Sequence, residues 1–186
     1  MSKYPAAVFA TIMLLITPAA LIPQERITLS QTFQMINNSS QASGWTTAVI
    51  EKRKPSQAPA ILGEIRTGRH KGFDRVVFEF RGGAMPGYHV EYIDRPVRAC
   101  GSGDVVPVAG DGWLSVRLTP AQAHTDAGKP TIRYRERRLR LPVLRELQST
   151  CDFEGEVQWV LGVSSPNRYR VMELTNPSRL VIDIKR

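Results

Sequence analysis

Hydrophobic and polar residues alternate along several short stretches of this chain. The clearest is residues 75–81, where Phe78 and Phe80 occupy alternate positions and charged residues take most of the positions between the apolar ones. A period of two places successive side chains on opposite faces of a strand, so this pattern predicts a strand with one buried face. We expect both phenylalanines in the core, together with Trp159 and Ile182 from later stretches.

From residue 60 onward, such stretches are separated by turns rich in glycine and proline. This succession of short strands predicts an all-β protein, a β-sandwich of antiparallel strands. The predicted strands are residues 61–65, 75–81, 88–93, 104–109, 113–118, 131–137, 157–163, 169–174 and 180–184.

Two segments interrupt the pattern of strands. Thr119 followed by Pro120 predicts a helix cap, with one short helical turn over residues 121–124. Residues 142–150 fit a short helix and a strand equally well. The strand predicted around Pro107 is expected at a sheet edge, because proline has no backbone N–H to donate.

The N-terminal third differs in composition from the rest of the chain. Lys3 precedes an uncharged apolar run, so residues 1–22 are predicted to be a secretory signal peptide. The run is also just long enough for an uncleaved membrane anchor. Residues 23–59 are rich in polar side chains and predict a flexible linker. The sandwich is expected over residues 60–186.

The chain has two cysteines, Cys100 and Cys151. An exported protein folds in an oxidising compartment, where an even pair of cysteines favours a disulfide. The alternative is a pair of unpaired, buried thiols. These considerations predict an extracytoplasmic location, either secreted or in the cell envelope.

The chain carries a formal net charge of +8, which suggests an anionic partner. For an exported protein, an anionic envelope polymer or an envelope glycan is expected rather than nucleic acid. Contact with a membrane is expected only if the N-terminal segment stays uncleaved. The charge has a second explanation, an arginine-rich proteome.

Positive residues are concentrated between positions 129 and 145, where Glu136 is the only acid. If residues 131–137 form a strand, alternate arginines make a row on one face that suits a repeating anion. The predicted binding residues are Arg133, Arg135, Arg137, Arg138 and Arg140. The alternative is a solvated edge strand that uses its charge to prevent aggregation.

No constellation of catalytic residues stands out. The histidines, His70, His89 and His124, lack the spacing of a metal site, and no nucleophile motif accompanies them. Asp152 and Glu154 are two residues apart, as a glycosidase pair could be, but a structural role fits them better. We therefore predict no catalytic residues, no metal and no cofactor.

Two further carboxylates, Asp74 and Asp183, lie within or beside predicted strands. Each is expected to accept hydrogen bonds from backbone N–H groups or to pair with an arginine on a neighbouring strand, for which Arg179 is a candidate.

Several separate blocks of the sequence resemble a known family. They are GFDRVVFEF at 72–80, PGYHVEY at 86–92, CGSG at 100–103, AQAH at 121–124, DFEG at 152–155 and PSRLVIDI at 177–184. In this order they resemble the AMIN-like domain of bacterial exported proteins and lipoproteins, over about residues 62–186. The resemblance implies a β-sandwich related to the AMIN domains of cell-wall amidases and secretins, which target proteins to peptidoglycan or similar polymers without catalysis.

The chain departs from the lipoprotein members in one respect. No cysteine follows the apolar run, so the site for lipid attachment is missing. The sequence thus predicts a non-catalytic exported module that binds a cell-envelope glycan or anionic polymer. The alternative is a structural protein, or one that binds another envelope protein through its sheet edge or basic face.

Overall fold

The computed structural model describes residues 44–54 and 58–186, which form two β-sheets packed face to face. The strands are β1 (Ile50–Lys52), β2 (Ala60–His70), β3 (Phe73–Arg81), β4 (Gly87–Ile93), β5 (Gly112–Thr119), β6 (Ala121–Gln122), β7 (Glu136–Arg138), β8 (Leu144–Phe153), β9 (Glu156–Val163), β10 (Tyr169–Leu174) and β11 (Arg179–Lys185).

The first sheet has six strands in the order β1-β4-β5-β9-β8-β7, and the second has five in the order β10-β11-β3-β2-β6. Neighbouring strands are antiparallel, except that β2 and β6 are parallel. This confirms the all-β sandwich. The ambiguous segment at 142–150 is resolved in favour of a strand, β8.

The predicted helical turn at 121–124 is wrong. The backbone here bonds to other strands rather than to its own preceding turn. Ala121 donates its N–H to the carbonyl of Gly155 at 2.8 Å, and Ala60 donates to the carbonyl of Pro120 at 3.0 Å. Ala121–Gln122 therefore forms the short strand β6.

The core lies between the sheets and follows the alternation read from the sequence. Phe78 and Phe80 of β3, Trp159 of β9 and Ile182 of β11 are all buried, as predicted. Full burial of a large apolar side chain contributes about 1.5–3 kcal/mol, so these alternate positions fix which face of each strand is inside.

A long loop at residues 94–111 covers part of the outer face of the six-stranded sheet. Val97 and Val108 pack there on Val160 of β9, in a small second cluster. The strand predicted at 104–109 is wrong, because only a single bridge, between Arg98 and Val105, forms in this loop.

A disulfide joins Cys100 of this loop to Cys151 of β8, as the sequence predicted. It closes a loop with a sequence separation of 51 residues. Because β8 pairs with β9 along most of its length, the disulfide fastens the irregular loop to a regular strand of the six-stranded sheet.

The chain ahead of β2 also contacts the sandwich. Thr46 pairs with Tyr169 of the five-stranded sheet, whereas β1 pairs with β4 of the six-stranded sheet. Part of the predicted linker at 23–59 thus crosses from one sheet to the other. The predicted signal segment, residues 1–22, lies outside the described residues. Within residues 44–54 and 58–186, no helix is long and apolar enough to span a bilayer.

Candidate functional site

Residues 131–140, which we call the crossing segment, pass across the open edge of the sandwich on the side opposite β1. Thr131 donates its hydroxyl to the carbonyl of Leu62, and Tyr134 donates its hydroxyl to the carbonyl of Ile65 at 3.0 Å. Both acceptors belong to β2, in the five-stranded sheet. The segment then joins the other sheet as β7, which pairs with β8.

These contacts explain why the strand predicted at 131–137 is wrong. A chain that passes between two sheets cannot keep the ladder of either one, and only Glu136–Arg138 is extended and paired. Ile132 and Tyr134 are nevertheless partly buried against the core. The alternation thus marked the apolar side of the segment correctly, although the segment is mostly not a strand.

All five predicted binding residues are exposed. Arg133 and Arg137 line an open groove of about 550 Å³. The third arginine of this groove is Arg81, the last residue of β3. We call this the edge groove, because it lies between β2 and the crossing segment. Gly63 lies beneath Arg81, and a Cβ atom there would come within 2.8 Å of the arginine's Cγ.

The other three predicted arginines do not line the edge groove. Arg135 lines a separate pocket with His124. Arg138 is in register with Glu146, whereas Arg137 is in register with Leu147, so the two neighbours lie on opposite faces of the sheet. The predicted single row of guanidinium groups is therefore wrong, and the role of these residues in binding stays a prediction.

The positive charge of the crossing segment is only partly compensated. Arg138 forms an ion pair with Glu136 at 3.2 Å, and the Arg137 guanidinium lies 5.5 Å from the centre of the Tyr134 ring. Among the described contacts, Arg133, Arg135 and Arg140 have no ion pair. Three exposed guanidinium groups are thus free to bind an anion.

The edge groove is also lined by one acid, Glu64, whose charge is compensated by Arg66 of β2. Arg66 pairs with Glu64 at 2.6 Å and with Glu79 at 2.7 Å. These pairs raise the pKa of Arg66. The largest cause is the hydrogen bond that Arg66 donates to Glu79, and partial burial opposes the rise. This cation is engaged within the sheet, so it differs from the unpaired arginines.

Asp74 has a structural role of the predicted kind. It is fully buried, and its Oδ2 accepts the backbone N–H groups of Val143 at 2.7 Å and Leu144 at 3.1 Å. Its arginine neighbour is Arg186 at 3.4 Å, rather than Arg179.

Asp183 lies on the outer face of the five-stranded sheet and is also fully buried. Arg75 pairs with it at 2.6 Å and Arg170 at 2.8 Å. Arg170 in turn stacks over the ring of Trp45 at 4.5 Å. The predicted pairing with arginine is confirmed. The sequence did not indicate Trp45 as a covering residue, because it precedes the sandwich by many residues.

The histidines lie apart from one another. His70 stacks on Phe73 with ring centres 4.8 Å apart, and His89 contacts Glu91 at 3.1 Å. His124 contacts Asp152 at 3.0 Å, and the described contacts include no nucleophile on its imidazole. No group of metal-binding side chains occurs in the part of the chain that the structure describes.

Comparison with known proteins identifies one family. The family model of the AMIN-like domain matches residues 60–186, which include both sheets except β1. No curated protein and no solved structure matches the chain.

Proposed function

Because this chain belongs to the AMIN-like domain family, whose members are envelope-associated, we propose that it is an exported, non-catalytic module that binds an anionic polymer or glycan of the cell envelope. The arginines of the crossing segment are its proposed contacts: Arg133, Arg135, Arg137, Arg138 and Arg140. The disulfide supports an extracytoplasmic location.

The observation that carries this proposal is the edge groove. Arg81 of β3 meets Arg133 and Arg137 of the crossing segment at one open surface. A guanidinium group presents a planar fork that pairs with a phosphate or carboxylate through two parallel hydrogen bonds. Several such forks around one groove can each pair with one anionic group of a polymer, and their attractions add.

The test is co-sedimentation with isolated cell wall. Arg133, Arg135 and Arg137 are replaced together by glutamine, and we expect most of the binding to be lost. The fold is expected to persist, because these side chains are exposed. Binding of the unmodified protein should weaken with added salt, because the Debye length falls from about 10 Å at 0.1 M to about 3 Å at 1 M.

The matched control removes the same charge elsewhere. Arg69, Arg168 and Lys185 are exposed and lie outside the edge groove, so their joint replacement by glutamine should leave wall binding unchanged. Wall binding that survives the joint replacement of Arg133, Arg135 and Arg137 and resists salt would contradict the proposal.

A second candidate, binding of another envelope protein, is favoured by strand β10. Among the described strands, β10 pairs along its length with β11 only. On its other side Thr46 bonds to Tyr169 alone, so the edge from Arg170 to the exposed Leu174 has no paired strand in the described part of the chain. A free strand edge can accept a strand from a partner. If this protein captures another envelope protein but does not co-sediment with isolated wall, the result would support this candidate over the first.

A further inference from the structure

Arg135 lines a pocket that is distinct from the edge groove. The pocket has a volume of about 300 Å³ and is bounded by the crossing segment, the chain after β6, and strands β8 and β9. We call it the His124 pocket. The residues used below are His124, Arg135, Ser149, Asp152 and Trp159.

Trp159 supplies a buried donor without a partner. The residue is 1% exposed and lines the pocket. Its indole Nε1–H is buried and makes no hydrogen bond within the described part of the chain. An unpaired buried donor is costly, and in native proteins such a group often belongs to a bound water or ligand.

His124 is held in place by a carboxylate. Its Nδ1 lies 3.0 Å from both oxygens of Asp152, and the same carboxylate accepts the backbone N–H of Ala123 at 2.9 Å. Asp152 is therefore already occupied by hydrogen-bond donors. Nε2 of His124 makes no hydrogen bond within the described part of the chain.

Arg135 and Ser149 complete the set of donors. The backbone N–H of Ser149 donates to the carbonyl of Arg135 at 2.7 Å, which holds this part of the crossing segment beside β8. The Arg135 guanidinium has no ion pair and the Ser149 hydroxyl has no hydrogen bond among the described contacts. A guanidinium, a hydroxyl and an indole thus line one small pocket beside the imidazole of His124.

We propose that the His124 pocket binds a phosphoryl group. Three kinds of donor line it, and its one carboxylate, Asp152, is already engaged, so the pocket favours an anion with several acceptor oxygens. A phosphoryl group presents three or four oxygens to such donors, whereas a carboxylate presents two. This inference rests on the proposed function, because it names a phosphoryl group as the anionic group of the envelope polymer. Its test needs no polymer.

The test uses nuclear magnetic resonance of the tryptophan indole N–H groups, with inorganic phosphate as the probe. The chain has three tryptophans. At constant ionic strength, we expect phosphate to shift the Trp159 indole signal in a saturable manner, while the signals of Trp45 and Trp113 stay in place. Acetate at the same concentration should shift the Trp159 signal much less.

Two matched substitutions decide whether Arg135 contributes. Arg135→Gln should weaken phosphate binding by about tenfold or more, the effect expected when a hydrogen bond to a charged group is lost. Arg69→Gln removes the same charge from an exposed position outside the pocket and should change little. Glycerol 3-phosphate in a parallel titration distinguishes the source. Tighter binding of the ester assigns an esterified phosphate, and tighter binding of inorganic phosphate assigns the free ion.

A Trp159 signal that ignores phosphate, responds equally to acetate, or responds equally in the Arg135→Gln variant would overturn the inference. These outcomes are separable from failure of the proposed function. Wall binding without a phosphate response refutes only the pocket, and a phosphate response without wall binding refutes only the envelope polymer.

Discussion

Replacement of Asp74 by alanine is expected to destabilise the sandwich by about 2–6 kcal/mol. The carboxylate is fully buried and accepts the N–H groups of Val143 and Leu144. Asp74 belongs to the five-stranded sheet, and Leu144 begins β8 of the other sheet, so this contact ties the two sheets together. Truncation leaves two buried donors unpaired, each at a cost of about 1–3 kcal/mol.

Asp74→Asn separates the hydrogen bonds from the charge. The amide oxygen can still accept from the backbone, so the cost should be clearly smaller than that of Asp74→Ala. Arg186 contributes little to the difference, because its contact with Asp74 is 3.4 Å long and the arginine side chain is 26% exposed. A neutral acceptor nevertheless makes weaker hydrogen bonds than a charged one.

The assay is equilibrium unfolding in urea with the disulfide intact, which gives the free energy of unfolding and the slope for each variant. Glu79→Ala is the matched control, because Glu79 lies on the same strand but pairs with Arg66 at the surface. Its loss should cost less than about 1 kcal/mol. The reasoning is refuted if Asp74→Ala costs no more than Glu79→Ala at an unchanged slope.

Two further predictions concern the disulfide and the tyrosines. Free thiols should be absent from the denatured, unreduced protein, and Cys100→Ser should lower the free energy of unfolding by about 2–5 kcal/mol; full thiol labelling without reductant would contradict this. The pKa of Tyr88 and the pKa of Tyr169 are each raised to about 12. Burial is the largest cause for both. The second cause is the charge of Glu173 for Tyr88 and the charge of Glu91 for Tyr169. The unfolded chain ionises near pH 10, so stability should fall as the pH rises from about 10 to 12; phenolate absorbance that develops fully near pH 10 in the folded protein would exclude it.

The strands of the core could be predicted from the sequence because their signal is local. Burial of one face requires apolar residues at every second position, and β3, β5, β9 and β11 all obey this rule. The buried role of Asp74 was also accessible, because a carboxylate on the apolar face of a strand needs donors. Its partners, Val143 and Leu144, were not, since they lie about 70 residues away.

The candidate site was predicted less well, for a physical reason. Residues 131–135 alternate between apolar and basic residues, as an edge strand would, but their polar atoms bond to β2 across the sandwich. Periodicity reports which side chains are buried, and it does not report which backbone groups pair. The sequence therefore located the arginines on the surface correctly and arranged them incorrectly. The short strand β6 was missed because two residues carry no period.

The two open sides of the sandwich are closed in the same way but carry different charges. On one side, the chain from Thr46 to β1 hydrogen-bonds to both sheets, and its cations are paired. Arg53 contacts Glu51 at 2.6 Å, and Lys52 contacts Glu173 at 2.7 Å. The first of these pairs lowers the pKa of Glu51, chiefly through the hydrogen bond from Arg53. Closing an open side therefore does not require unpaired charge.

On the other side, the crossing segment leaves Arg133 and Arg135 exposed and unpaired. Protection of a sheet edge from aggregation would account for charges on an edge strand. It accounts for Arg137 and Arg138, which lie on the edge strand β7. It does not account for Arg133 and Arg135, which precede β7 and lie on no strand. Edge protection thus leaves these two exposed, unpaired guanidinium groups unexplained, and the proposed binding of an anion is the interpretation that accounts for them.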